Sequence, residues 1–310
     1  MQNNLFKVSP APHIRSGNTI SKMMRDTIIS LVPSGIAAVK FFGLYALWVV
    51  VTSIVFCILS EYFVNLLRKQ KPTFVDLSCV VTAILLSYSL PSTTPLWIVA
   101  IGSFISIVFG KMVYGGIGYN PFNPALIGRA FLQISFPQQL GHFVIDSISS
   151  ATPLTIVKLN LAENLPSVKQ LIIGNYASSL GETSVIMLFL GYIYLVLRRH
   201  IHLLAPLSYI FTVVVITLFV VPQKVLVYTF SGGLFLGAIF MATDPVTTPV
   251  SLKGKIIFGI GCGILTSLIR FWGSYPEGVC FSILLMNLLT PMIDNYTVVK
   301  KFGTVQVKGE

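Results

Sequence analysis

The sequence predicts an all-α membrane protein of about ten transmembrane helices in two five-helix halves, with a long extracytoplasmic loop between them. Three observations predict it. Of 310 residues, 54% are hydrophobic and only 10% charged, and the mean hydropathy is +0.83. Apolar runs able to cross a bilayer core of about 30 Å recur along the chain. Lys and Arg, which bring the net charge to +11, gather in short clusters between those runs. A soluble domain carries about 25% charged residues to cover itself in water. This chain lacks that shell, so lipid is its expected solvent. A nucleic-acid binder would gather its basic residues into one stripe or tail, so no nucleic-acid partner is expected.

The expected spans lie near 25–40, 42–66, 76–91, 95–113, 124–137, 183–198, 203–221, 225–241, 254–271 and 276–294. The fifth is short and interrupted by Gly128 and Arg129. Orientation follows from the basic clusters, which favour the cytoplasmic side. Lys7, Arg15, Lys22 and Arg25 precede the first span; Arg68, Lys69 and Lys71 follow the second; Arg198 and Arg199 follow the sixth. Lys253 and Lys255 follow the eighth, and Lys300, Lys301 and Lys308 occupy the tail. All fall on one side if the N-terminus starts inside, so both termini are expected in the cytoplasm. The first 25 residues lack the apolar core and small-residue cleavage site of a secretory signal, so the first span is expected to drive insertion.

Residues 138–182 break the hydrophobic rhythm with Asp146, a Ser/Thr-rich stretch, Lys158, Glu163 and several Asn. A connection this long in a compact protein is usually functional or disordered. It divides the chain into residues 1–137 (N-terminal segment and first half), the loop 138–182, a second half 183–294, and a tail 295–310. Five spans per half is the arithmetic of an inverted repeat. Both halves carry a Gly-Gly followed by a two-proline motif: Gly115-Gly116 with Asn120-Pro121-Phe122-Asn123-Pro124, and Gly232-Gly233 with Asp244-Pro245 and Pro249. The expected topology puts both on the same side, which an inverted repeat does not predict.

Cys57, Cys79, Cys262 and Cys280 lie in or beside apolar runs without a Cys-x-x-Cys pair, so they read as buried small hydrophobes rather than metal or cluster ligands. His200 and His202, beside Arg198 and Arg199, read as a helix-end cluster.

Chemistry is expected first in the outer loop, at Asp146-Ser147-Ile148-Ser149-Ser150-Ala151-Thr152-Pro153-Leu154-Thr155. Pro153 biases Thr152 toward an extended backbone, leaving its hydroxyl free of helical back-bonding, and small Ser150 and Ala151 allow a bulky group to approach. An ordinary Ser-rich turn explains the same residues. The second place is the Gly115-to-Pro124 block. Glycine pairs and prolines at membrane depth free backbone groups that only protein or a water-filled cavity can satisfy. Asn120 and Asn123 can supply those bonds; the alternatives are a structural helix break or the lining of a ligand or ion path. The third is the small set of polar residues near membrane depth: Glu61, Asp76, Arg129, Glu182, Asp244, Arg270 and Glu277. Such residues are functional suspects by default. Glu61, Asp76 and Arg270 lie near expected helix ends, where capping or snorkelling explains them.

Several of these motifs occur together, in order, along nearly the whole chain: Pro12-His13-Ile14-Arg15-Ser16, Tyr114-Gly115-Gly116-Ile117-Gly118 with Asn120-Pro121-Phe122-Asn123-Pro124-Ala125, and Gly181-Glu182-Thr183-Ser184. Gly237-Ala238-Ile239-Phe240-Met241-Ala242-Thr243-Asp244-Pro245-Val246, Leu268-Ile269-Arg270 and Tyr275-Pro276-Glu277-Gly278-Val279 complete the series. The set resembles the family of flavin-carrying membrane subunits that includes the RnfD component of the Rnf electron-transport complex and a larger relative in the sodium-pumping NADH:quinone reductase. The short N-terminus and the Asn-Pro-Phe-Asn-Pro block are closer to the Rnf type. Where the family motif reads Ser-Gly-Ala-Thr, this chain has Ser149-Ser150-Ala151-Thr152.

The resemblance implies FMN joined to Thr152 by a phosphoester, with Ser149, Ser150, Ala151 and Pro153 as neighbours. It implies a flavin transferase to install it, and a candidate second, noncovalent flavin. Asn120, Asn123, Arg129, Glu182 and Asp244 become candidates for a flavin or ion path. The implied role is electron relay in a ferredoxin:NAD-type complex of a bacterial inner membrane, coupled to Na+ or H+ movement. The chain has no Gly-x-Gly-x-x-Gly and no cluster-binding cysteine motif, so partner subunits are expected to hold NAD and the iron–sulfur centres. The alternative is a secondary transporter or channel without a redox cofactor, which ten spans and broken helices also suit. A flavin that survives denaturation discriminates the two.

Overall fold

The structure, a computed structural model, describes residues 19–70, 73–145, 148, 149, 151–159, 161 and 165–297. Lys7, Arg15, Lys71, Ser150, Lys300, Lys301 and Lys308 lie outside the described residues, and the side chain of Ser149 is not described. Every expected apolar run is helical. Helix α1 (Ile20–Phe42) starts where the Thr19 hydroxyl accepts from Lys22 N and ends at Gly43, whose φ of 75° turns the chain into α2 (Leu44–Leu67). Leu77, held at φ 64°, follows a 3₁₀ turn and leads into α3 (Ser78–Tyr88). Helix α4 (Leu96–Ile107) runs on into a π turn, Val108–Met112. Asn123 caps α5 (Pro124–Ser135), accepting from Ala125 N while Pro124 fills the first helical position, where its missing N–H costs nothing.

The long loop is built rather than slack. It carries α6 (Pro137–Gly141), a minimal hairpin of β1 (Val144–Ile145) and β2 (Ile148–Ser149), α7 (Pro153–Leu159) and α8 (Val168–Ile173). That hairpin is the departure from an all-α chain among the described residues. A 3₁₀ turn, Leu180–Glu182, then leads into α9 (Val185–Leu197) and α10 (Leu204–Val220). The expected eighth span is bent by 59°. It breaks at Ser231–Gly233 between α11 (Val225–Phe230) and α12 (Leu234–Leu236), and α12 runs on as a second π turn, Gly237–Met241. Helices α13 (Leu252–Trp272) and α14 (Val279–Thr297) close the fold.

Three helices, α2, α13 and α14, are long and apolar enough to cross a membrane, or four spans if the bent pair counts as one. Helices α3, α4 with its π turn, α9 and α10 are shorter apolar helices. The eleven residues of α3 rise about 16 Å, roughly half a bilayer core. The expected span at 76–91 is therefore a half-length helix bounded by Leu77 and the Pro91 turn.

The main core joins both halves: Leu31 of α1, Leu86 of α3, Leu188 of α9, Tyr209 and Val213 of α10, Phe240, Phe258 of α13 and Ile283 of α14. Large apolar side chains such as Phe211, Phe219 and Trp272 face outward, as a lipid-solvated surface requires. Helix α1 packs on α9 through Gly191, where an added Cβ would overlap the Ser30 carbonyl oxygen. Backbone cannot yield as a flexible side chain does, so Gly191→Ala is expected to cost about 1–3 kcal/mol. A lower thermal midpoint of the purified protein in detergent would register that cost, and an unchanged one would refute so close a contact.

Candidate functional site

The candidate residues divide into three places. The first is Thr152, which the structure makes the cap of α7. Its Oγ1 accepts from Thr155 N at 3.3 Å and lies 2.8 Å from Thr155 Oγ1. Both bonds run forward to Thr155, as a cap's do, and neither is a helical back-bond to a preceding carbonyl. Proline at the first helical position makes the preceding Thr a natural cap, and that signal was readable. Helix α7 is pinned by Leu154 and Val157, which cluster with Leu171, Tyr176, Val227 and Tyr228. Lys158 Nζ donates to the carbonyls of Gly273 at 2.6 Å and Tyr275 at 2.7 Å, past the end of α13. Burial lowers the Lys158 pKa from its ordinary value. Tyr176 OH shares its one proton between Phe230 O at 3.2 Å and Glu182 O at 3.3 Å, joining the loop to the broken helix.

The second place is that break. Gly232 and Gly233 have φ of 73° and 67°, a left-handed backbone open to glycine at little cost. A Cβ on Gly233 would lie 2.6 Å from Glu182 Oε1, and one on Gly232 would strike Leu154. The carbonyls freed at the end of α11 go to Arg270. Its guanidinium donates to Tyr228 O, to Ser231 O at 3.2 Å and to Gly232 O at 3.1 Å, and its Nε donates to Glu277 O at 2.9 Å. Arg270 is thus an end cap, as read, but a fully buried one rather than a snorkelling one. Beside it lies a small pocket lined by Arg129, Glu182, Gly232, Gly233, Glu277 and Cys280, among others. Arg129 pairs with Glu277 at 3.2 Å.

The third place is a cleft of about 750 Å³, reached at the opposite end of α9, where His200 lies. Asn120, Asn123 and Asp244 line it, with Ser78, Lys111, His200 and Phe240. Asn120 Nδ2 donates to Phe122 O at 3.0 Å. Asn123 Nδ2 donates to Met241 O at 3.3 Å, tying the first half's proline block to the second π turn. Asp244 accepts from Thr247 Oγ1 at 3.2 Å. His200 Nε2 lies 2.8 Å from Asp26 Oδ2, with Tyr194 OH donating to Asp26 Oδ1 at 3.3 Å, so the helix-end reading of His200 extends to a pairing with α1. The five path residues therefore do not share one place: Asn120, Asn123 and Asp244 line the cleft, while Arg129 and Glu182 line the pocket.

Against this cleft stands a buried ion pair that the sequence pattern did not reveal. Lys111 Nζ lies 2.8 Å from Glu61 Oε2, both side chains at most 2% exposed. Lys111 also donates to Ser78 Oγ at 2.6 Å, and Thr73 donates to Glu61 Oε1 at 2.5 Å. Glu61 is thus not a helix-end carboxylate at water, which corrects its reading. Asp76 does cap a helix, accepting from Ser78 N at 2.9 Å. Among the described residues no group of three or more His, Cys, Asp or Glu side chains is placed to hold a metal ion.

Fold and site together define a multi-pass membrane protein whose helix breaks and buried charges converge on a polar cleft and a polar pocket. The family model described as NQR2, RnfD, RnfE matches residues 7–303, and the chain belongs to that family. It is 42% identical to the D component of the proton-translocating ferredoxin:NAD(+) oxidoreductase complex of Clostridium ljungdahlii, over 98% of both chains. It is 39% identical to the D component of the Na(+)-translocating counterpart from Acetobacterium woodii, over 98% of this chain and 97% of that one. The D component of the ion-translocating oxidoreductase complex of Mannheimia succiniciproducens is 35% identical, over 94% of this chain and 96% of that one.

Proposed function

We propose that this chain is the RnfD-type membrane subunit of an ion-translocating electron-transport complex of the ferredoxin:NAD type, and that it carries FMN as a phosphoester on Thr152. The observation that carries the reading is family membership over residues 7–303 with a hydroxyl in place at the motif's acceptor position. The capping geometry is compatible with the ester. An esterified oxygen keeps its acceptor lone pairs but loses its proton, so the Thr155 N–H bond survives and Thr155 Oγ1 becomes the donor across 2.8 Å. FMN, when bound, passes one or two electrons; the protein positions it and tunes its potential. Partner subunits hold the iron–sulfur and NAD sites, and a flavin transferase installs the ester.

The cleft of Asn120, Asn123 and Asp244 is the place we assign to a second, noncovalent flavin. Its amide and carboxylate groups suit the polar edge of the ring, and Phe240 supplies an apolar wall.

We further propose ten membrane-embedded helical segments in a bacterial inner membrane, α3 reaching only part of the way across, with both termini inside and the ten arranged as an inverted repeat of five. The support is a matched pair of turns, Pro91-Ser92-Thr93-Thr94-Pro95 and Pro245-Val246-Thr247-Thr248-Pro249. Each follows a short helical piece and leads into a longer helix, α4 or α13. The packing repeats as well: α2 lies on α4 as α10 lies on α13, and α1 meets α9. In the expected topology the two turns fall on opposite sides, as inversion requires, whereas the two Gly-Gly motifs do not.

Mass spectrometry of the Thr152 peptide, from protein made with its partner subunits and transferase, tests the flavin reading. The FMN adduct is the expected result, and a wholly unmodified peptide would overturn it in favour of a transporter without a redox cofactor.

A further inference from the structure

We infer that the pocket under the Gly232–Gly233 break receives the pyrimidine edge of the flavin tethered at Thr152, with Arg129 as its charged donor; this rests on the flavin reading above. The Arg129 side chain is 4% exposed. One of its terminal nitrogens pairs with Glu277, and the other, NH1, has no partner among the described residues. A buried guanidinium N–H without an acceptor is costly, and a ligand carbonyl in the pocket would satisfy it.

The pocket's chemistry has both signs. Arg129 offers donors while Glu182 and Glu277 offer acceptors, and the pyrimidine edge of isoalloxazine alternates carbonyl acceptors with an N–H donor. The pocket is too small for a whole tricyclic ring, so at most an edge enters it and the rest must leave toward the tether. The tether lies in that direction: Leu154, seated against Gly232, is two residues from Thr152, at most about 7 Å of chain.

A cation at the pyrimidine edge stabilises the negative charge that builds there on reduction, so Arg129 raises the flavin's midpoint potential. The test uses the full complex made with its transferase. Denatured Arg129→Gln protein should keep the in-gel fluorescence of wild type, because the tether is intact. The native protein should show a negative shift in that flavin's potential, largely restored in Arg129→Lys. Glu277→Gln removes the carboxylate paired with Arg129, a charge of the opposite sign, with little change of shape; it should shift the potential positively, and it carries the test alone if Arg129→Gln does not assemble. Wild-type potentials in the variants that assemble, with the fluorescent band present, would overturn the inference while leaving the tether standing. Absence of the band in wild type would overturn the tether itself.

Discussion

Replacing Thr152 with Ala, in complex assembled alongside the flavin transferase, is expected to abolish the covalent flavin of this chain. Denatured wild-type protein fluoresces in the gel and the variant does not, and ferredoxin-dependent NAD reduction falls to background. A phosphoester needs a side-chain oxygen, and alanine has none. The same substitution removes the cap of α7, which on its own costs about 0.5–2 kcal/mol, so a stability defect has to be separated from a chemical one. Thr152→Asn does so. It keeps an acceptor for Thr155 N and a good capping residue, yet offers no hydroxyl to esterify. Both variants should be dark in the gel, and the Asn variant should melt closer to wild type. Thr152→Ser keeps hydroxyl and cap together and should retain flavin. A fluorescent Thr152→Ala band would move the attachment to another residue and end the proposal at this position.

The sequence disclosed what is local and missed what is paired across distance. Each apolar run became helix because hydropathy is a property of consecutive residues. The half-length of α3 was hidden, because Leu77 in a left-handed backbone has no composition signal, whereas Gly43 and Gly278 at similar turns do. Thr152 was legible as an acceptor only through the family motif; its capping role was legible from Pro153 alone. Lys111 was passed over inside an apolar run. Its partner Glu61 is fifty residues away, and the packing that joins α2 to the π turn after α4 is not written in either segment. For the same reason Asn123 and Asp244 came together in the cleft while Arg129 came to the pocket, only six residues beyond Asn123. Six residues of helix make about 1.7 turns, so the two side chains leave α5 in different directions and meet different neighbours.

That missed pair carries the largest stability effect we expect. Lys111→Met should destabilise the protein by about 3–5 kcal/mol, because it strands the Glu61 carboxylate, fully buried, without its cation. Glu61 is fully buried and Lys111 is 2% exposed, so screening by solvent does little to soften the loss. Thr73 would still donate to Glu61, but one neutral donor does not replace a cation at 2.8 Å. Ser78 would lose its bond from Lys111 while keeping the one it gives to Asp76 at 2.6 Å. The double variant Glu61→Gln/Lys111→Met removes both charges at nearly constant volume and should regain most of the loss, since a buried pair replaced as a unit is often close to neutral. Unfolding in detergent–denaturant mixtures, read as a double-mutant cycle, measures the coupling. A single variant within about 1 kcal/mol of wild type would refute the burial of the pair, and so would a double variant no better than the single. If stability returns in the double variant while coupled electron transfer does not, the charges at the edge of the cleft serve the transport reaction and not merely the fold.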